Sequence, residues 1–349
     1  MSNIILSLLI VVIGTILILV YVFNYKPRGK EKVKDLYAEG LDLLISGKRM
    51  AAYQNFKDII NKDSNNIKAY LRLGQILRES GNPKQALRVH KGLLHRKKVN
   101  YHDQLELHKN IVLDYFNDNN YEYAIKELEA ILKIDKSNEW AIGYLVRVYR
   151  KTQNWLYASE YLAKHQKLTN TSDDHKLALY KIQEGRSLIR EKRFQEARQI
   201  FEDSLRICND IAAAYYFIGN AYSAESEVAY QKSSKSKSDM LFEESESTME
   251  DDDASQLLGK AIPMWIRYAE LKPEHAWIVI HLLKDGLFAL NRYSEFEDIL
   301  KQIIKIDNDN IEVIASLSEI LSHRGEDIEA MNLIDSAIEQ DPSSILVKL

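Results

Sequence analysis

Two hydrophobic patterns share the chain. From Ile4 to Phe23 it reads IILSLLIVVIGTILILVYVF, interrupted only by Ser7, Gly14 and Thr15 and free of charge. From about Val33 onward the apolar positions follow helical spacing. A small residue is followed four positions later by a larger one in Ala52–Phe56, Ala86–His90, Ala124–Leu128, Ala158–Leu162, Ala197–Phe201, Ala261–Trp265 and Ala330–Ile334. Four positions is about one helical turn, so both members share a face. The small one admits a neighbouring helix and the large one fills the next layer. The pattern predicts an all-α fold of short paired helices.

Aligned against itself, the sequence repeats with a period of 34. Gly40 and Gly74 are one period apart, as are Ala52 and Ala86, Ala124 and Ala158, and Gly185 and Gly219. Eight units follow, starting near Val33, Ile67, Leu105, Glu139, Ala178, Ala212, Trp277 and Ile311, and Asp63, Asp135, Pro273 and Pro342 close several of them. The pattern resembles the tetratricopeptide repeat, whose helix–turn–helix units stack into a right-handed superhelical solenoid.

Two places break the rhythm. The sixth unit is expected to place its helices around Ala213–Tyr222 and Gln256–Leu271, with a flexible excursion over 223–253. That stretch contains SKSKSDMLFEESESTMEDDD, rich in Ser and acid and poor in core formers. Its acidic run from Glu243 to Asp253 reads as a solvated loop, with binding of cations or a basic surface as the alternative. After Pro342, Ser343–Leu349 resemble the start of a further unit without a polar cap. The expectation is a truncated chain or an edge covered by a partner.

The apolar run matches a hydrocarbon core of about 30 Å and has no basic residue before it. Tyr21, Phe23 and Tyr25 follow as an interfacial belt, and then Lys26, Arg28, Lys30, Lys32 and Lys34. This predicts a single transmembrane helix with the repeats in the cytoplasm. The expected organisation is an anchor over 1–25, a basic juxtamembrane linker over 26–35, repeats over 33–222, the insertion over 223–253 and the remaining repeats over 254–349.

Composition narrows the chemistry. With 46% apolar and 28% charged residues the chain is not disordered, and 13 Gly and 5 Pro argue against a turn-rich β fold. A net charge of −4 disfavours a bulk nucleic-acid binder, and Cys208 alone supports neither a disulfide framework nor a thiolate zinc site. Phosphate-cradle glycine loops, GxSxG elbows and HExxH helices are missing from the sequence. Neither catalytic residues, nor a cofactor, nor a metal site is expected, and His90 reads as a packing residue. The chain reads as a binding protein rather than an enzyme.

In an array of this kind the first helix of each unit lines a groove. Those positions carry Arg72, Gln75 and Arg78, then Lys109, Asn110 and Phe116, then Trp140, Tyr144, Arg147 and Arg150, and finally Arg186 and Arg190. A basic stripe with interleaved aromatics suits acidic or extended segments of protein partners. A merely solvated charged face is the alternative.

An apolar span leading directly into such repeats resembles the lipopolysaccharide assembly protein B family. The stretches LGQILRESGNPKQALRVHKGLL (Leu73–Leu94), LDYFNDNNYEYAI (Leu113–Ile125) and LVRVYRKTQNWLYA (Leu145–Ala158) are similar to its successive units. The C-terminal rubredoxin-like domain of that family, with two Cys-x-x-Cys pairs, has no counterpart in this sequence. The resemblance implies a scaffold at the bacterial inner membrane that regulates lipopolysaccharide assembly. Its implied partners are a membrane-anchored metalloprotease and the lipid A deacetylase. The alternatives are a membrane-tethered scaffold of another envelope or secretion complex, or the regulatory part of an enzyme whose catalytic domain lies beyond Leu349.

Overall fold

The computed structural model describes residues 13–16, 28–96, 100–239, 249–308 and 310–340. The expected span Ile4–Phe23 lies outside them except for 13–16, which are helical. Among the described residues no helix is long and apolar enough to cross a membrane. The segment 342–349 also lies outside them.

From Arg28 onward the described residues form sixteen α-helices in eight sequential pairs. They are α1 (Arg28–Ile45), α2 (Arg49–Lys62), α3 (Ile67–Glu79), α4 (Pro83–Leu94), α5 (Tyr101–Asn117), α6 (Tyr121–Ile134), α7 (Glu139–Lys151) and α8 (Trp155–Thr169). Then come α9 (Asp174–Arg190), α10 (Phe194–Ile207), α11 (Ala212–Asp239), α12 (Met249–Leu271), α13 (Trp277–Ala289), α14 (Tyr293–Ile306), α15 (Ile311–Arg324) and α16 (Asp327–Gln340). A short 3₁₀ turn, Pro273–His275, precedes α13. The helix pairs and their spacing are of tetratricopeptide type. The chain divides into two compact units, Met1–Val148 and Tyr149–Leu349.

Local chemistry sets the repeat. In the seven pairs whose inner turn is described, that turn holds a residue with positive φ: Gly47, Gly81, Asn119, Gln153, Lys192, Asn291 or Gly325. One left-handed residue ends the first helix and reverses the chain. Asparagine caps start several pairs, with Asn66, Asn138 and Asn310 accepting from the backbone N–H of Ala69, Ala141 and Val313 at 3.1, 3.0 and 3.2 Å. Each such cap is worth about 1 kcal/mol.

The layers close on the small–large pairs. Ala52, Ala86, Ala124, Ala158, Ala197 and Ala261 are fully buried, as are Phe56, Leu128 and Phe201. Facing them, a Cβ at Gly185 would stand 2.4 Å from the Phe201 ring, and one at Gly219 would stand 2.5 Å from the Trp265 indole. Glycine is required there because helix and ring occupy the same layer.

The sixth pair departs from expectation. The composition of 223–253 predicts an excursion, but α11 continues to Asp239 and α12 begins at Met249, so only 240–248 lie outside the described residues. Ser226 and Ala254 are buried, and the Ser226 hydroxyl donates to the Ala254 carbonyl at 2.6 Å. Small residues here let two long helices run side by side. The start and the end of the expected excursion are thus a close helix–helix contact, while 240–248 lie outside the described residues.

Candidate functional site

Unit one presents a cationic aromatic surface on its first helices. Trp140 and Tyr144, one turn apart on α7, stack at 4.8 Å, and Phe116 of α5 meets Tyr144 edge-on at 5.4 Å. The Arg147 guanidinium lies over Phe116 at 4.9 Å and over Tyr144 at 5.4 Å. The Lys109 ammonium sits 5.6 Å from the Trp140 ring, and pairs with Glu106 at 2.9 Å. Partial burial pushes the Tyr144 hydroxyl above its ordinary pKa, so it stays a neutral donor at physiological pH. Cations over half-buried rings form a surface that can bind a carboxylate and an apolar side chain together. Arg72 is exposed on the same unit and donates to Gln75 at 2.7 Å.

Arg78 differs from the sequence expectation. Instead of facing a partner it bonds Asp114 at 2.7 Å, with its side chain 9% exposed and that of Asp114 fully buried. His90, also fully buried, places Nδ1 2.5 Å from the other Asp114 oxygen and Nε2 3.3 Å from the Leu71 carbonyl. The ring fits because Gly74 lacks a Cβ, which would stand 2.2 Å from Nε2. His90 does pack, but as part of a buried Arg–Asp–His network. Sequence reasoning passed over Asp114. An acid between Ile111 and Tyr115, in an otherwise apolar run, was the available signal.

Arg150, Arg186 and Arg190 lie beyond Val148, and all three are exposed. Arg186 donates to Gln183 at 2.9 Å and stands 5.1 Å from the Phe217 ring, while Arg190 donates to Ser187 at 3.0 Å. Both line an open cavity of about 390 Å³ together with Trp155, Gln183, Phe217 and Asn220. Phe217 and Asn220 lie beyond the groove positions expected from the sequence, which end at Arg190. The aromatic run Tyr215–Phe217 on the next first helix pointed to them.

No family model matches the chain. Lipopolysaccharide assembly protein B of Escherichia coli K12 is 24% identical over 119 residues, which cover 34% of this chain and 31% of that protein. The match to the same protein from Escherichia coli O157:H7 has the same extent. The match thus spans about a third of the length of these relatives. Among solved structures, the C-terminal part of a TPR repeat-containing protein from Cytophaga hutchinsonii is 14% identical, with a TM-score of 0.39 and coverage of 89% of this chain and 98% of that one. A tetratricopeptide repeat protein from Parabacteroides merdae is 18% identical at the same TM-score, covering 78% and 99%. The repeat assignment itself rests on the helix pairs of this chain.

Proposed function

We propose that the protein is a non-enzymatic scaffold that holds protein partners on its repeats and takes part in the regulation of lipopolysaccharide assembly. The observation that carries the reading is the surface of Lys109, Phe116, Trp140, Tyr144 and Arg147, whose cations sit over aromatic rings. Rings anchor a partner by desolvated area and the guanidinium fixes a carboxylate, a combination typical of binding hot spots. The partial match to lipopolysaccharide assembly protein B supports the process, and the apolar run Ile4–Phe23 with its basic flank supports tethering to the inner membrane with the repeats in the cytoplasm.

In this reading the repeats bring a membrane-anchored metalloprotease and the lipid A deacetylase together. Co-purification of tagged full chain with the deacetylase from membranes tests it. Trp140→Ala with Arg147→Glu should abolish recovery while leaving the helical circular dichroism unchanged. Equal recovery by wild type and variant would show the surface to be solvated only. A cytoplasmic reporter fused after Leu349 should be active, and accessibility of the repeats to protease from the periplasmic side would refute the orientation.

A further inference from the structure

The cavity on unit two differs chemically from its surroundings. None of its lining residues is acidic. The groove along the other side of α9 is lined instead by Glu184, Glu191 and Glu196, two of which are bridged by Arg193 at 3.0 and 2.7 Å. One helix therefore separates an acidic groove, partly paired within itself, from a cationic one.

Within the cationic cavity Asn220, Gln183, Arg186 and Arg190 each keep a donor unpaired among the described residues. The Trp265 indole is a donor only and bonds the Asn220 oxygen at 2.9 Å, which fixes that amide with its NH₂ away from the indole. Trp265 is almost wholly buried, so this orientation is held by the core. Likewise Arg186 can only donate, so its bond at 2.9 Å takes the Gln183 oxygen and leaves that NH₂ free. Arg186 and Arg190 bond only neutral oxygens, those of Gln183 and Ser187, and neither pairs with a carboxylate among the described residues. The rings of Trp155 and Phe217 supply apolar wall beside them.

We propose that this cavity binds the side-chain carboxylate of an acidic segment in a protein partner, with the neighbouring apolar side chain of that segment against Trp155 and Phe217. Two guanidiniums and two amide NH₂ groups leave an incoming ligand donors but few acceptors. A planar carboxylate matches the guanidinium fork, whereas an amide of the same shape brings NH₂ donors that meet donors. The proposal deepens the scaffold reading by assigning a second site with its own ligand chemistry.

The test uses full-length protein in detergent and two labelled peptides, amidated at the C-terminus, in which Glu or Gln alternates with Leu and Phe. Fluorescence anisotropy should give at least about tenfold tighter binding of the Glu peptide, an advantage that shrinks as salt is raised. Arg186→Gln with Arg190→Gln should remove that preference, and Asn220→Leu should weaken it, while Lys167→Gln, an exposed charge outside both surfaces, should preserve it. Equal affinity for the two peptides overturns the proposal, as does a preference that survives Arg186→Gln with Arg190→Gln. If Trp140→Ala with Arg147→Glu abolishes the preference instead, the acidic segment docks on unit one. The scaffold reading then stands and this cavity is not the site. Recovery of the deacetylase, measured separately, decides the scaffold reading whatever the peptides do.

Discussion

Replacing Asp114 by Ala should be the most damaging single change in unit one. The carboxylate is fully buried and takes Arg78 at 2.7 Å on one oxygen and His90 at 2.5 Å on the other. Removing it leaves a guanidinium whose side chain is 9% exposed without its counter-charge, and deprives His90 of its acceptor. Breaking a buried pair from one side costs about 3–5 kcal/mol, a large share of the roughly 5–15 kcal/mol that a folded domain has. For a unit of this length each kcal/mol lowers Tm by about 2–4 °C, so the expected fall is about 6–20 °C. Taking out both charges with Arg78→Met and Asp114→Leu should cost much less, because nothing charged is left stranded. Thermal melts by circular dichroism compare the variants. Hydrogen exchange should localise the loss to α3, α4 and α5. If Asp114→Ala melts no earlier than the double variant, charge pairing is not what holds these helices together.

Gly185→Ala should destabilise unit two by about 1–3 kcal/mol, since the new methyl would stand 2.4 Å from the fully buried Phe201 ring; Phe201→Leu in the same chain should recover part of the loss in urea melts. The Lys301 ammonium, bonded at 2.7 Å, and the Arg324 guanidinium hold the Glu297 carboxyl below its ordinary 4.5, so its contribution is complete above that pH and is lost as the pH falls through the lowered value; Glu297→Gln should flatten this part of the acid melt. Ser226→Ala should cost about 1 kcal/mol through the lost bond to Ala254, and removal of 224–253 should lower the melting temperature of unit two, contrary to a loop that carries no packing.

Much of the fold could be read from the residues because a repeat is a local object. Alanine followed by a large residue one turn later marks the buried face of seven of the eight second helices, and Gly47, Gly81 and Gly325 mark turns where a left-handed residue is needed. Other turns use Asn119, Gln153, Lys192 and Asn291, which carry the same φ without a glycine to announce it. The long hairpin of α11 and α12 was hidden for a related reason. Serines such as Ser226 lack the apolar signature of a core, and become buried only because α12 offers the Ala254 carbonyl 28 positions later.

The candidate sites show the same division. Sequence spacing puts Arg78 and Arg147 among the groove positions of their units and gives them equal standing. Tertiary structure separates them: Asp114, 36 residues after Arg78, takes that guanidinium inside, while Arg147 has Phe116 and Tyr144 beside it and stays exposed. Trp265 orients Asn220 across 45 residues in the same way. Helical periodicity and turn chemistry depend on neighbours a few positions away, so the sequence alone determines them. Which charges are neutralised and which donors remain for a ligand depend on side chains delivered by another helix, and only packing decides that.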